Sequence, residues 1–272
     1  MGIPHLPLRY RQGVLILLPP SEGKTSPETG ERLAAAALSF PSLKTPRTAV
    51  LKALVALCTT NRAEAGAVLG LGATQQSAIV VNARLKKRPT AAAIEIYTGV
   101  LFDALSAHTL TSAERRRLDH SVVIASALFG LLGPSDHIPA YRLSGATTLP
   151  PLGTLASVWR KGVSAELAAQ GRGIFDLRSG TYASLGPVPS SIAEHSLTGR
   201  VLLEHNGKRS IVSHHNKATK GRIVRSLVQA PSMPNSVSDL LDALTSLGYS
   251  IELHAATRIG AVPVLDIIVR EI

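Results

Sequence analysis

The 272-residue chain is 45% hydrophobic and carries 29 Lys and Arg against 18 Asp and Glu, a formal net charge of +11. That hydrophobic fraction excludes a disordered polyelectrolyte, and the charge suits either a polyanionic partner or solubility alone. With 4% aromatic residues, a stacking surface for single-stranded nucleic acid is poorly supplied.

Val14–Leu18 reads as a buried strand stopped by Pro19 and Pro20. The stretch LLPPSEGKTS that contains its end carries Gly23-Lys24-Thr25, the close of a nucleotide-binding P-loop. The preceding positions argue against one. Leu18 stands where the first glycine belongs, and Pro19 and Pro20 have no amide to wrap a phosphate. Lys24, just past a strand end, therefore needs another explanation. Residues 45–57, 62–69 and 74–86 read as helices, with Thr74 a first-turn cap. A polar helix at SAERRRLDH precedes the buried segment SVVIASALFGLLGP, which stops at Gly133-Pro134. A helix is expected at 154–169 and a strand start at GIFDLRSGTY. RVLLEHNGKRSIVSHHN reads as a hairpin about Asn206-Gly207, with its return strand reaching the histidines. Helices follow from about Lys217 to Val228 and at 236–247, then a final pair of strands. Strands and helices mix without strict alternation, which predicts one mixed α/β domain over residues 1–272, a mixed sheet surrounded by helices.

Apolar runs such as Val14–Leu18 and Val262–Val269 are too short to span a bilayer, so no membrane partner is expected. The first residues lack an apolar signal core, and Leu6 stands where a myristoylation signal wants Ser or Thr. Cys58 is the one cysteine, which leaves no internal disulfide and fits a cytoplasmic protein. Its apolar helical setting suits a packed thiol better than a redox sensor.

His205, His214 and His215 suggest a metal site, but the hairpin separates the first from the others and points the last two to opposite faces. No metal or other cofactor is therefore expected. In SHHNKATKGRIVR, Lys217, Lys220, Arg222 and Arg225 gather at a strand-to-helix passage. Ile223, Val224 and Leu227 define the apolar side of that helix, and Lys220 projects into it. A lysine there calls for an anionic partner, either an internal carboxylate or a ligand. Tyr97, Asp136, Tyr141 and Arg142 lie in loop-rich segments of the kind that build anion sites. LGLGATQQSAI is similar to the turn of a helix-hairpin-helix element near residues 62–86. There Gly70 and Gly72 would let backbone amides approach a DNA phosphate, with Lys86, Lys87 and Arg88 adding charge; the other reading is a plain glycine-capped turn.

Together, LLPPSEGKT, YTGVLFDAL, SALFGLLGPSDHIPAYRLSG, FDLRSGTYASL and SHHNKATKGRIVR resemble the YaaA family of bacterial peroxide-stress proteins, over nearly the whole chain. The family's motif positions fall on Lys24, Tyr97, Tyr141-Arg142, Ser179, Tyr182, Lys217, Lys220-Gly221 and Arg225. The chain departs from the family pattern in the loop Pro20–Thr25, and at Lys220, which lacks arginine's planar fork. The resemblance implies a cytoplasmic protein that limits iron-dependent oxidative damage under hydrogen peroxide. It also implies DNA binding through a helix-hairpin-helix element and a basic cleft, with Lys24 beside Arg142, Lys217 and Lys220. Such binding would read backbone and shape, not base sequence. The alternative is an enzyme acting on a nucleotide-like or other anionic small molecule in a pocket of the same residues. Tyr97 or Tyr182 would then move a proton, with Lys24 lowering the phenol pKa.

Overall fold

Val14–Leu18 is strand β1, and each of its five residues is buried because it runs between two parallel neighbours. The computed structural model describes residues 13–270, and only the backbone of 213–215. After β1 come helices α1 (Lys44–Thr60), α2 (Arg62–Val68) and α3 (Ser77–Ala83), strand β2 (Ala91–Ala92), and helices α4 (Ala93–Ile96), α5 (Val100–Leu105) and α6 (Ser112–Ser121). Strands β3 (Val122–Ser126), β4 (Gly130–Leu132), β5 (His137–Ile138), β6 (Thr148–Leu149) and β7 (Gly153–Thr154) lead to helix α7 (Leu155–Ala169). Then follow β8 (Gly173–Asp176), α8 (Gly180–Ser184), β9 (Leu197–His205), β10 (Lys208–Ser210), α9 (Ser213–Gln229), α10 (Val237–Ser246), β11 (Ser250–His254) and β12 (Val264–Arg270).

Eight strands form one mixed sheet in the order β11-β12-β9-β8-β1-β3-β4, with β10 paired to β9. From β12 to β3 the pairings are parallel, and β11, β4 and β10 pair antiparallel. The register sets Leu17 of β1 beside Val123 of β3 and Asp176 of β8. Parallel strands end on one edge of the sheet, so the chain leaves β1, β3 and β8 side by side, where ligands of open α/β sheets bind.

Buried donors hold that edge. Arg47, 1% exposed, donates from Nε to the carbonyl of Phe129 and from Nη2 to those of Ser39 and Leu131, bracketing the β3–β4 turn. Trp159 Nε1 donates to Ala127 O at 2.9 Å in the same turn. Asp136 is structural too: its carboxylate accepts from the amides of Ser39 and Gly133. Helix α9 lies against α5 with its backbone close, and a Cβ at Gly221 would stand 2.2 Å from Leu101 O.

Three expectations are corrected. The helix read at 74–86 is only Ser77–Ala83, between 3-10 turns at Ala73–Gln75 and Leu85–Lys87. The Gln76 side chain donates to the carbonyls of Leu71 and Gly72 and ties the turn before the helix can start. The hairpin turns at Asn206 (φ 50°) and Gly207 (φ 72°), pairing Lys208 with His205, but its return strand stops at Ser210. The following helix starts at Ser213, before Lys217, so His214 and His215 are helical and the strand-face reasoning about them lapses. Asn216 Nδ2 donates to Val201 O at 3.3 Å, a contact with β9 that anchors this first turn.

Candidate functional site

Lys24 is positioned by the zipping of two loops. Thr25 N donates to Ile96 O at 2.8 Å, and Thr98 N reaches Gly23 O at 3.2 Å and Ser21 Oγ at 3.1 Å. Gly23 packs closely in this pairing, where a Cβ would stand 2.8 Å from Thr98 Oγ1 and displace that hydroxyl. The glycine before the lysine thus serves chain packing. Lys24 Nζ donates to the carbonyls of Ser21 (2.8 Å) and Glu22 (3.3 Å) and lies 4.4 Å from the Tyr141 ring centre and 5.2 Å from that of Tyr97. Burial, together with the Arg142 charge, lowers its pKa to about 7, against the opposing pull of Glu22.

Beneath Lys24 runs a chain of hydroxyls. The Tyr97 and Tyr141 hydroxyls are 2.8 Å apart, Tyr141 is 2.8 Å from Ser126 Oγ at the end of β3, and Phe129 N donates to that oxygen. The expectation that Lys24 lowers a phenol pKa is reversed: burial pushes Tyr97, Tyr141 and Tyr182 all upward. These phenols stay neutral and act as hydrogen-bonding groups; Lys24 is the group that changes charge near neutrality. Arg142 is fixed by Asn82, which is fully buried in α3: Arg142 N donates to Asn82 Oδ1 at 2.9 Å, and Asn82 Nδ2 donates to Arg142 O at 2.7 Å. The Arg142 guanidinium pairs with Glu22 at 3.1 Å. Tyr182 on α8 feels both Glu22 and Arg142, so it belongs to the same cluster.

Lys220 lies against the end of β8. Only 8% exposed, it donates to Leu177 O at 2.8 Å, and burial lowers its pKa to about 8 against the pull of Asp176. The nearby carboxylate is engaged elsewhere: Arg178 holds Asp176 with two bonds, of 2.9 and 2.7 Å. Among the described residues Lys220 forms no direct ion pair, since its partner is the Leu177 carbonyl, which leaves the reading as a site for an anionic ligand. Ser179 is exposed at the start of α8, and Lys217 is exposed on α9. Arg225 stands apart, donating to the carbonyls of Leu105 and Ser106 at 2.9 and 3.0 Å, where it caps the C-terminal end of α5.

The pair α2–α3 surrounds the Gly70–Gly72 turn. Gly70 (φ 60°) ends α2 with Leu71 N donating to Gly66 O and Gly70 N to Ala67 O, a Schellman cap. Nothing lies within 4 Å of a Cβ built at Gly70 or Gly72. Gly72 N donates to Gln75 Oε1 at 3.3 Å. Lys86 and Lys87 are exposed and, with Arg84 and Arg88, line a groove of about 690 Å³. Arg88 Nη2 donates to Ser26 Oγ at 3.2 Å, two residues past Lys24.

Glu22, Asn82, Ser126 and Arg178 belong to the site without standing out in the sequence. Glu22 and Arg178 have a signal, charge beside a motif residue; Asn82 and Ser126 have none, since only the fold brings them near Arg142 and Tyr141. Cys58 is buried, and burial raises its pKa against a hydrogen bond from Asn82, which favours the thiol over the reactive thiolate. Among the described residues, no three His, Cys, Asp or Glu gather to hold a metal, and no helix is long and apolar enough to cross a membrane.

Residues 14–254 match a family described as peroxide stress protein YaaA. The chain is 41% identical over 261 residues to a UPF0246 protein of Streptomyces coelicolor, covering 95% of this chain and all of that one. It is 39% identical over 251 residues to a UPF0246 protein of Corynebacterium efficiens, covering 90% and 97%. A UPF0246 protein of Corynebacterium glutamicum is 38% identical over 244 residues, covering 88% and 95%.

Proposed function

Because the chain belongs to the YaaA family of peroxide stress proteins, we propose that it is a cytoplasmic protein that binds DNA under peroxide stress and limits iron-dependent damage. The contacts would be to backbone and DNA shape, through a helix-hairpin-helix-like element (α2, the Gly70–Gly72 turn, α3) and a basic cleft at the strand ends. One observation carries this reading: the helical element and the Lys24 cluster are joined directly, by Asn82 on the Arg142 backbone and by Arg88 on Ser26. In this reading Lys86, Lys87 and Arg88 on one side and Lys24 and Arg142 on the other would supply the phosphate contacts. The open surface at Gly70 and Gly72 supports close approach of a phosphate, with the Gln75 side chain giving up the Gly72 amide.

A salt titration of duplex binding by fluorescence anisotropy tests it. With about five phosphate contacts, log K falls against log salt with a slope of roughly −4 to −5. Neutralising Lys86, Lys87 and Arg88 together flattens that slope by about two units, and Gly72→Val weakens binding of every sequence alike. Gly72 is a cleaner probe than Gly70, because its φ of −68° admits a side chain. A slope near zero sinks the reading.

A second reading rests on the lowered pKa of Lys24 at the ends of β1, β3 and β8: an enzyme acting on an anionic small molecule, with Lys24 as the proton-carrying group. It requires a product that disappears with Lys24→Met while duplex binding keeps its salt slope.

A further inference from the structure

Glu22 and Arg142 meet at the mouth of the strand-end cluster, and the two partners are held very unequally. Asn82 clamps the Arg142 backbone on both sides, and the Arg142 side chain is 22% exposed. The Glu22 side chain is 76% exposed, and among the described residues Arg142 is its ion-pair partner. An exposed pair of this kind contributes little to stability. Lys24 lies beside the pair, and among the described residues it makes no ion pair of its own; two carbonyls and two tyrosine faces hold its amine. The cluster therefore presents Arg142, its backbone clamped, and the Lys24 amine, cationic below about pH 7, with one exposed carboxylate against them. Below about pH 7 Glu22 supplies one negative charge against the two, so one positive charge is left over.

We infer that Glu22 is a built-in stand-in for a phosphomonoester, which displaces it and binds between Lys24 and the Arg142 fork. A phosphomonoester carries about −1.5 to −2 near neutral pH, enough to match both cations, and offers the oxygens a guanidinium reads in pairs. A carboxylate ligand would only repeat what Glu22 already provides. The shared chemistry has two sources, the terminal phosphate of a DNA end and a free nucleoside monophosphate. The first rests on the DNA-binding reading above; the second does not.

The ligand also changes the charge of the site. The charged and titratable groups that face Lys24 are Glu22 and Arg142, with Tyr97, Tyr141 and Tyr182 held neutral by burial. A phosphomonoester brought beside Lys24 favours its ammonium form, so binding takes up a proton above about pH 7 and weakens as pH rises through that region.

Isothermal titration calorimetry at pH 6.5 tests the exchange, using inorganic phosphate, a nucleoside monophosphate, and a short duplex with and without 5′-phosphates. The full chain is compared with Glu22→Gln, Arg142→Gln and the double variant. Glu22→Gln binds a phosphomonoester roughly 5- to 10-fold tighter, since the competing like charge is gone. Arg142→Gln loses about tenfold or more and cancels that gain in the double variant, because the two residues act on each other. A gain for the nucleoside monophosphate alone assigns the site to free nucleotides; a gain for the 5′-phosphorylated duplex over the unphosphorylated one assigns it to DNA ends. If Glu22→Gln binds all of these no tighter than wild type, or keeps its gain without Arg142, the inference is overturned. If wild type fails to bind duplex while Glu22→Gln still tightens on the monophosphate, the DNA reading falls and this one stands.

Discussion

Lys220 illustrates how a single buried group couples structure to pH. Its folded pKa of about 8 lies below the ordinary lysine value of 10.5, so between those values the unfolded chain holds a proton that the folded chain has lost. Stability from this group therefore rises with pH across that window, and the full penalty of the buried charge applies below about pH 8. Lys220→Met removes the penalty. Relative to wild type it is more stable at pH 7 than at pH 10.5, by on the order of 1–3 kcal/mol, and loss of the Leu177 hydrogen bond shifts both ends alike. Urea melts of both proteins at pH 7, 8.5 and 10.5 read this out. A stability gap that does not move with pH contradicts it. Lys24 follows the same sign in a window that opens near pH 7, and its half-buried amine lies beside the Arg142–Glu22 pair.

At the scale of elements, the site depends on how closely α9 approaches α5. Lys220 and Gly221 are neighbours in sequence, and the glycine is what lets the lysine reach β8. A Cβ at Gly221 would meet Leu101 O at 2.2 Å and Ala104 Cβ at 2.9 Å, so Gly221→Ala forces the helices apart. It loses about 1–3 kcal/mol, the range for overpacking a close contact, despite alanine's better helix propensity. Denaturant unfolding measures the loss, and an unchanged or raised midpoint would show that the two helices can slide. The α2–α3 pair works differently. Its turn is open to solvent, but Asn82 on its inner side fixes Arg142, so this element reaches the site through a backbone clamp.

At the scale of the molecule, burial falls off across the sheet. β1 and β3 are buried at all five positions of each, whereas most of β11 and all of β10 is exposed. Hydrogen exchange followed by mass spectrometry should find β1 and β3 exchanging only on global unfolding, with β10 and β11 opening locally and earlier. Equal protection across the sheet would rule this out. The gradient places the candidate site on the rigid part, where strand ends hold Ser126, Asp176 and the start of the Lys24 loop with little freedom.

Much of this was legible in the residues themselves. Local pattern marks β1 by its unbroken apolar run, α7 by its period, and the turn at Asn206-Gly207 by the two residues that tolerate positive φ, because each depends on neighbours in sequence. The same holds for Lys220, whose place on an apolar helix face is a matter of angle, and for the failure of Gly23-Lys24-Thr25 as a P-loop. Strand order, the Asn82 clamp on Arg142, the hydroxyl chain from Tyr97 to Ser126, and the capping of α5 by Arg225 join residues far apart in the chain. The reversal of the tyrosine pKa shift has the same origin, since desolvation comes from everything packed around a group. Periodicity carries no information about such distant pairs; only the packed sheet decides which side chains meet, which are denied water, and which of the lysines is left to change its charge near pH 7.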